Sequence, residues 1–386
     1  SLGINWVSIE SPAEDSGSDV DALISEFSLT PFNLEYDDLV RVMCVALSEE
    51  LHILCVNIHH IIFDGWSNSI FNEELMVLYQ SHDSGKGTLL QPVHTQYADF
   101  AHWQRGYLQG DVLEEQLAYW VSQLKGIPAV LSLPTDRPRP AVQTTNGRTL
   151  SFTIDGEVTN AAKKYASDNQ STLFMLLLGT YQLLLSRYSG QDDIVVGSPI
   201  AGRESAQTER MLGYFVNALV FRGQLSGNLT GQQLLQQTRE AVVGGFAHQY
   251  LPFEALVDAV QPERNLSYPP IAQVGFALQN MPSTNMTLEA LSVDSYEITT
   301  DTAKYDLILM LHDSPHGDNL VGNIEYNTDL FDQSTIEQFS RHFEYLLGQM
   351  VSLPDQALSS YALFPDHQMY LALSLNPEDY EYIVPL

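Results

Sequence analysis

Hydrophobic and polar positions alternate over residues 51–58 (LHILCVNI), which is the pattern of a half-buried β-strand. The alternation would place Leu54, Val56, Ile58 and His60 on one face and Ile53, Cys55, Asn57 and His59 on the other. The two adjacent histidines at the end of this strand are therefore predicted to point in opposite directions.

The pattern becomes helical after Gly65. Apolar side chains recur at the i, i+4, i+7 and i+8 spacing of one helix face, at Phe71, Leu75, Leu78 and Tyr79. This spacing predicts a helix over residues 69–79, with Ser67 or Ser69 as its N-cap. Residues 59–65 (HHIIFDG) are thus predicted to form a strand–loop–helix corner.

The same criteria predict further elements along the chain. Strands are predicted over residues 40–47, 149–154, 193–197, 218–222, 272–279, 305–312 and 320–327, and helices over 95–109, 112–124, 171–188, 230–248 and 333–351. The Asp, Glu and Ser residues of 10–21 predict a solvated loop, and the prolines of 128–140 indicate a boundary. This order of strands and helices indicates an α/β or α+β fold.

Composition narrows the possible partners. The chain has 386 residues, 44% of them hydrophobic, with 17 basic and 48 acidic residues and a formal net charge of −31. Such a charge repels nucleic-acid phosphates and anionic membranes, so we expect neither as a partner. An acidic protein partner would need a local basic or apolar patch in order to dock.

Cysteine content and hydropathy indicate a reducing, cytoplasmic location. Cys44 and Cys55 lie in apolar, strand-like segments and provide no disulfide framework. No signal peptide is visible at the N-terminus as given. The longest apolar stretch, residues 173–185, is short for a membrane span and predicts a buried helix.

The corner at residues 59–65 is the strongest candidate for chemistry. A neutral imidazole can accept a proton or donate a hydrogen bond to a developing negative charge near neutral pH, and Asp64 needs a cationic or N–H partner. The alternative interpretation is a packed histidine pair with a capping aspartate. A metal site is disfavoured because adjacent strand residues diverge and no HExxH or CxxC motif is present, and no GxSxG elbow supports a serine nucleophile.

Several segments together resemble one family. Residues 59–67 (HHIIFDGWS) resemble the HHxxxDG signature of the condensation domains of nonribosomal peptide synthetases. Further segments resemble that family's motifs in the same order, namely residues 97–105 (YADFAHWQR), 133–140 (LPTDRPRP), 196–203 (VGSPIAGR), 213–219 (GYFVNAL), 248–254 (HQYLPFE), 303–307 (AKYDL) and 326–331 (YNTDLF). The resemblance covers nearly the whole chain.

One departure concerns the start of the chain. The family's first two motifs, an SxAQ-like segment and an RHExLRTxF-like segment, are not found, and residues 1–35 resemble the stretch that follows the second. We therefore expect the chain to lack the family's first portion, which leaves the activity of this polypeptide alone open. Residues 380–386 are expected to belong to a linker.

The resemblance implies an architecture of two chloramphenicol acetyltransferase-like α/β lobes in a V-shaped pseudo-dimer with a tunnel between them. The expected boundaries are an N-terminal lobe at residues 1–127, incomplete at its start, a crossing linker at 128–148, a C-terminal lobe at 149–365 and a C-terminal linker at 366–386.

The resemblance also implies a reaction used in secondary-metabolite and antibiotic biosynthesis. Donor and acceptor peptidyl carrier proteins deliver substrates on phosphopantetheine arms, and the acceptor amine attacks the donor thioester to form an amide. The chain is expected to bind no metal or cofactor of its own, and an adenylation domain is an expected neighbour.

Residue roles follow from the same resemblance. His60 is expected to be catalytic, as a general base or by positioning and hydrogen bonding, and Asp64 to be structural through a pair with Arg203. His59 is expected to orient the corner, Gly65 to offer its N–H near the thioester, and Trp66 to form wall or core. The aromatic side chains of residues 97–105 are expected to pack.

The subtype and two rival functions stay open at this point. The segments 65–67 and 213–219 look most like the class that joins an L-configured donor to an L-configured acceptor, and no epimerisation segment is visible. A non-catalytic docking module is one alternative, although such modules usually carry a damaged signature. An acyltransferase acting on soluble thioesters is the other, and it would not need carrier proteins.

Overall fold

The computed structural model describes residues 4–8, 16–83, 90–262, 265–279, 287–288, 291–294, 296, 301–314 and 317–364. These residues lie in two compact units. The first unit takes its residues from Ser1–Gly106, Ala201–Val216 and Met281–Thr299, and the second from Tyr107–Ile200, Asn217–Asn280 and Thr300–Leu386.

The described residues form a mixture of strands and helices. The first half contains β1 (Ile4–Ser8), α1 (Ser16–Leu29), β2 (Val40–Ala46), β3 (His52–Ile58), α2 (Gly65–Asp83), α3 (Tyr97–Tyr107), α4 (Gly110–Gln123), β4 (Gly147–Ile154), α5 (Gly156–Asp168) and α6 (Leu173–Ser189). The second half contains β5 (Asp193–Ile200), β6 (Asn217–Gln224), α7 (Gly231–Ala247), α8 (Phe253–Val260), β7 (Val274–Gln279), β8 (Thr287–Leu288), β9 (Leu291–Ser292), β10 (Leu307–Asp313), β11 (Leu320–Asn327) and α9 (Gln333–Ser352).

The first unit contains a three-stranded sheet in the order β1-β2-β3, with β1 and β2 parallel and β2 and β3 antiparallel. Helix α1 places Val20 and Ile24 on one face at i, i+4 spacing, and these side chains pack on Met43 and Val45 of β2. Ile53 of β3 is half-buried against the same cluster. The predicted strand therefore exists, and its Ile53 face is the one that turns towards this core.

The second unit is built on a six-stranded sheet in the order β4-β11-β10-β7-β5-β6. Strand β7 is parallel to β10 and β5, and the other pairs are antiparallel. Helix α6 is buried from Met175 to Leu185, and Thr172 caps its first turn by accepting a hydrogen bond from the Met175 N–H. This continuous burial explains why its sequence is apolar all round rather than along one stripe.

Most predicted elements are present, two predictions need correction, and some elements were not predicted. Of the loop predicted over residues 10–21, residues 16–21 belong to α1 instead, and residues 10–15 lie outside the described residues. The N-cap position of α2 belongs to Asp64, not to Ser67 or Ser69, since the helix begins at Gly65. Helices α5 and α8 and strands β1, β8 and β9 were not predicted.

The predicted lobe boundaries remain a prediction, and the compact units divide the chain differently. Residues 201–216 lie in the first unit although we predicted them in the C-terminal lobe, and residues 107–127 lie in the second. The predicted C-terminal linker, residues 366–386, lies outside the described residues.

No helix in the described part of the chain is long and apolar enough to cross a membrane.

Candidate active site

The HHIIFDG segment forms a sharp corner between β3 and α2. The strand ends at Ile58, His59 is extended (φ −66°, ψ 132°), and His60–Ile62 forms one turn of 3₁₀ helix before α2 begins at Gly65. The chain leaves the strand before the two histidines. Strand alternation therefore does not apply to their rings, and the opposite directions expected for the two rings stay a prediction.

His59 stabilises this turn. Its Nδ1 accepts a hydrogen bond from the Ile61 N–H at 3.0 Å, and its half-buried ring meets the Phe32 ring edge to face at a centroid distance of 5.7 Å. A nitrogen that accepts carries no proton, so the neutral His59 ring holds its proton on Nε2. His59 therefore holds the 3₁₀ turn in place, and its orienting role at a site stays a prediction.

Asp64 is 2% exposed and accepts hydrogen bonds from several donors. Its Oδ1 accepts from the Ser67 N–H at 2.7 Å, which caps α2, and its Oδ2 accepts from the Phe215 N–H at 3.0 Å. Arg203 Nη2 lies 2.9 Å from Oδ1 and 3.1 Å from Oδ2. The partner expected for Asp64 is present, and both residues belong to the first unit.

The Arg203 side chain is fully buried. It contacts the Asp64 carboxylate and the loop that follows Arg203 in the chain. Its Nη1 donates to the carbonyl oxygens of Thr208 at 2.5 Å and Met211 at 2.7 Å. The pair with Asp64 is therefore made by one guanidinium nitrogen, Nη2, which contacts both carboxylate oxygens. Burial lowers the pKa of Arg203 from its usual value, while Asp64 acts in the opposite direction.

Ser67 joins α2 to the loop that follows Arg203. Its hydroxyl is completely buried, donates to the Gly213 carbonyl at 2.9 Å, and accepts from the Gly213 N–H at 3.0 Å and from Arg203 Nη2 at 2.9 Å. Trp66 Nε1 donates to the Glu209 carbonyl at 2.9 Å. The half-buried Trp66 is therefore a hydrogen-bonding residue as well as an apolar surface.

Two glycines allow this loop to pass close to its neighbours. Gly202 has φ +64°, and a Cβ there would lie 2.1 Å from the Phe215 carbonyl oxygen. A Cβ on Gly213 would lie 2.4 Å from a ring carbon of Tyr97. Both positions therefore exclude a side chain, because hard-sphere contact at these distances is forbidden.

His60 is the exposed histidine of the corner. Its ring meets the Tyr214 ring edge to face, with the centroids 5.4 Å apart, and the residue itself is open to solvent. Gly65, the first residue of α2, is also exposed. An imidazole in this position can exchange protons or hydrogen bonds with a substrate that reaches the corner.

Within the described ranges, no group of three or more His, Cys, Asp or Glu side chains is placed to hold a metal ion. The His60 imidazole at the corner can transfer protons and form hydrogen bonds.

Sequence reasoning identified the corner and the pair of Asp64 with Arg203, but it missed the contacts of two further residues that hold the corner. Ser67 was considered only as a cap, and Tyr97 only as a packing residue, yet its hydroxyl donates to the Tyr214 carbonyl at 2.7 Å. Burial raises the pKa of Tyr97, and Asp64 and Tyr214 add to this effect. A serine three residues after an N-capping aspartate was the available signal, although its partner 146 residues away was not predictable from spacing.

The chain belongs to the condensation-domain family, whose model matches residues 3–371. It is 43% identical over 348 residues to one of the linear gramicidin synthase proteins of Brevibacillus parabrevis, covering 90% of this chain and 4% of that protein. It is 36% identical over 354 residues to surfactin synthase subunit 1 of Bacillus subtilis (strain 168), covering 92% of this chain and 10% of that protein. The chain thus spans a small part of these relatives.

Solved structures of the family share the fold. A four-domain nonribosomal peptide synthetase bound to AMP and glycine matches with a TM-score of 0.85 at 25% identity, over 96% of this chain and 28% of that one. A complex of the X-domain and OxyB from teicoplanin biosynthesis matches with a TM-score of 0.83 at 25% identity, over 95% and 80%. The predicted α/β class and the resemblance to condensation domains are confirmed.

Proposed function

We propose that this chain catalyses amide-bond formation between a donor acyl or peptidyl thioester and an acceptor aminoacyl amine. The observation that carries the proposal is an exposed imidazole, His60, on a corner whose buried carboxylate is held by Arg203. Family membership supports it, because the general function of condensation domains is peptide-bond formation.

Amide formation from these substrates requires little proton transfer by the protein. An α-amino group has a pKa of about 7.7 to 8.0, so an appreciable fraction of the acceptor amine is already neutral near pH 7. Holding the amine and the thioester together then contributes most of the acceleration. We assign His60 to positioning and hydrogen bonding in the tetrahedral intermediate, with general-base catalysis as the alternative role.

The other site residues support His60 in this proposal. Asp64 and Arg203 fix the start of α2 and the following loop, and His59 fixes the 3₁₀ turn through its bond to the Ile61 N–H. Trp66 anchors the loop through the Glu209 carbonyl. Gly65 is proposed to offer its N–H to the thioester carbonyl.

Both substrates would arrive on phosphopantetheine arms of partner carrier proteins, with an adenylation domain as a neighbour and with no cofactor bound by the chain itself. The relatives are peptide synthase proteins, which supports partners of this kind. We further propose an L-configured donor, an L-configured acceptor and a cytoplasmic location, where Cys44 and Cys55 would remain free thiols as they are here.

A non-catalytic docking module is the second candidate, because one solved structure of this fold is the X-domain in complex with OxyB. The intact HHxxxDG segment, with Asp64 and Arg203 paired, favours catalysis over docking. Epimerisation and acyl transfer from soluble thioesters are alternatives within the same fold.

The test is mass spectrometry of amide formation between aminoacyl-loaded donor and acceptor carrier proteins. It is run with the chain as given and with the chain extended by the family's first two motifs. We expect amide product from carrier-bound substrates and none from coenzyme A thioesters. Product from coenzyme A thioesters alone would indicate a soluble acyltransferase, and binding of loaded carriers without product would indicate a docking module.

A further inference from the structure

The backbone of residues 213–215 is held at three consecutive residues by side chains of the HHxxxDG and YADF segments. Ser67 Oγ bonds to both the N–H and the carbonyl of Gly213, at 3.0 and 2.9 Å. Tyr97 Oη donates to the Tyr214 carbonyl at 2.7 Å, and Asp64 Oδ2 accepts from the Phe215 N–H at 3.0 Å. We call this arrangement the loop clamp.

Packing reinforces the loop clamp from one side. The Phe215 ring is buried and contacts the Tyr97 ring at a centroid distance of 5.0 Å and the Phe100 ring at 4.7 Å. The Arg203 guanidinium carbon lies 4.1 Å from the Phe215 ring centroid, within range of a cation–π interaction. The loop therefore cannot shift without breaking buried hydrogen bonds and aromatic contacts together.

Tyr214 is the outward-facing residue of the clamped loop. Gly213 and Phe215 on either side are buried, whereas Tyr214 is 40% exposed, and its ring meets the His60 ring edge to face at 5.4 Å. Edge-to-face aromatic pairs have a preferred geometry beyond simple area burial. The ring of Tyr214 therefore restricts the orientations open to the His60 imidazole.

We propose that Tyr214 is a positioning residue for His60, and that the loop clamp, through Tyr97 and Ser67, holds it in place. The positioning role rests on the proposed function, because it requires that His60 acts on substrate. The contact between the Tyr214 and His60 rings does not depend on the proposed function. It also assigns Tyr97 a task beyond packing, namely the hydrogen bond that fixes the Tyr214 backbone.

The test combines the NMR signals of His60 with the rate of amide formation in the same variants. NMR measures the ring-proton chemical shifts of His60 in the unsubstituted chain and in Tyr214→Leu, Tyr214→Phe and Tyr97→Phe. The His60 signals are assigned by their absence from the spectrum of His60→Gln. Tyr79→Leu is the matched control, because Tyr79 is an exposed tyrosine on α2. The single-turnover rate of amide formation is measured for the same variants.

We expect Tyr214→Leu to shift the His60 signals and to lower the rate by about 3- to 10-fold, the size of one lost aromatic pair. Tyr214→Phe keeps the ring, so it should keep the His60 signals and the rate of the unsubstituted chain. Tyr97→Phe should change the signals and the rate less than Tyr214→Leu does, and Tyr79→Leu should change neither the signals nor the rate. Tyr214 is exposed, so its variants should keep the fold.

Unchanged His60 signals in Tyr214→Leu would overturn the contact, and shifted signals with an unchanged rate would overturn the positioning role. A fall in rate that Tyr214→Phe fails to rescue would also overturn it, because the ring would then not be the cause. If His60→Gln is fully active, the proposed function fails instead, and the NMR comparison still decides whether Tyr214 contacts His60.

Discussion

The two compact units are stabilised in different ways. In the first, the buried apolar cluster of α1 and β2 is small, and the corner and loop at the candidate site are held by buried polar groups, above all Asp64, Ser67 and Arg203. In the second, one large apolar core surrounds α6 and the six-stranded sheet. The candidate site is thus built on directional bonds, which fix geometry, whereas non-directional burial predominates in the larger unit, whose described residues include few buried charges such as Asp306.

This difference separates the expected consequences of substitution. A buried charge that loses its partner is costly because it stays desolvated, and the damage is local to the groups that it organised. A deleted apolar side chain leaves a cavity whose cost is shared by the whole core. Stability and geometry of the site should therefore respond to different residues.

Removing Arg203 should have the largest effect. Arg203→Ala leaves Asp64 buried without a counter-charge and leaves the Thr208 and Met211 carbonyls without their donor. We expect a loss of about 3 to 5 kcal/mol in the free energy of unfolding. Chemical denaturation measures the loss, and hydrogen exchange should place it in α2 and in residues 201–216.

Arg210→Ala is the matched control, because Arg210 and Glu73 form a half-exposed pair at 3.6 Å in the same unit. Its cost should stay below about 1 kcal/mol. Equal effects of the two substitutions, or normal folding with full activity in Arg203→Ala, would contradict the structural role of the buried pair.

Truncation of a buried side chain in the apolar core of the second unit should have the next largest effect on stability. Leu184 is fully buried on α6, so Leu184→Ala should cost about 3 kcal/mol through lost burial and a cavity. Hydrogen exchange should show the loss across the six-stranded sheet and α6. Leu266→Ala, at a position 76% exposed, should change stability by less than about 0.5 kcal/mol. A loss confined to the end of α6 would argue against one cooperative core.

Glycine substitutions compare the two units at similar backbone angles. Gly202 has φ +64° with the Phe215 carbonyl in the way, whereas Gly190 at the end of α6 has φ +68° and open space around it. Gly190→Ala should cost about 1 kcal/mol, and Gly202→Ala about 2 kcal/mol or more because the loop must also move. Thermal and chemical unfolding of both variants measure the difference, and equal losses would show that the loop tolerates displacement.

The smallest expected effect is the pH dependence of stability that comes from a buried histidine in the second unit. Burial, with a smaller effect of Arg341, lowers the pKa of His342 to about 4 from an ordinary value of 6.5, and its Nδ1 is hydrogen bonded to Tyr188 Oη at 2.8 Å. The unfolded chain binds this proton more readily, so stability falls as the pH drops from 6.5 towards 4. Between pH 7 and 5.5 the expected loss is about 1 kcal/mol.

His342→Gln should remove this part of the pH dependence while keeping a hydrogen-bonding partner for Tyr188. Denaturation curves at pH 7 and pH 5.5 for both proteins give the difference directly. Identical pH dependence in the two proteins would mean that other groups account for the effect.

The fold was predictable where periodicity was strong. Helix α6, the strands of the six-stranded sheet and the β3–α2 corner follow from their apolar patterns. Helix α1 was missed because Asp and Ser dominate its start, although Val20 and Ile24 at i, i+4 spacing carried the signal. Helix α5 was missed because its buried residues, among them Ala162 and Ala166, are small and give a weak apolar stripe.

The candidate site was predictable only in part. The pairing of Asp64 with Arg203 came from resemblance to a family, since 139 residues separate the two and no local pattern links them. The 3₁₀ turn at His60 escaped prediction because alternation along a strand carries no information on where the strand ends. The contact of Tyr214 with His60 depends on the loop clamp, which forms only in the folded chain.

The most direct test of the central claim is the single-turnover rate of amide formation with loaded carrier proteins, measured for the unsubstituted chain and for His60→Ala. The extended chain is used if only it is active. The control is His82→Ala, which removes an exposed histidine at the end of α2. We expect His60→Ala to lower the rate by about 100-fold or more with the fold intact, and His82→Ala to leave it unchanged. An unchanged rate in His60→Ala would contradict the assignment of this corner as the active site.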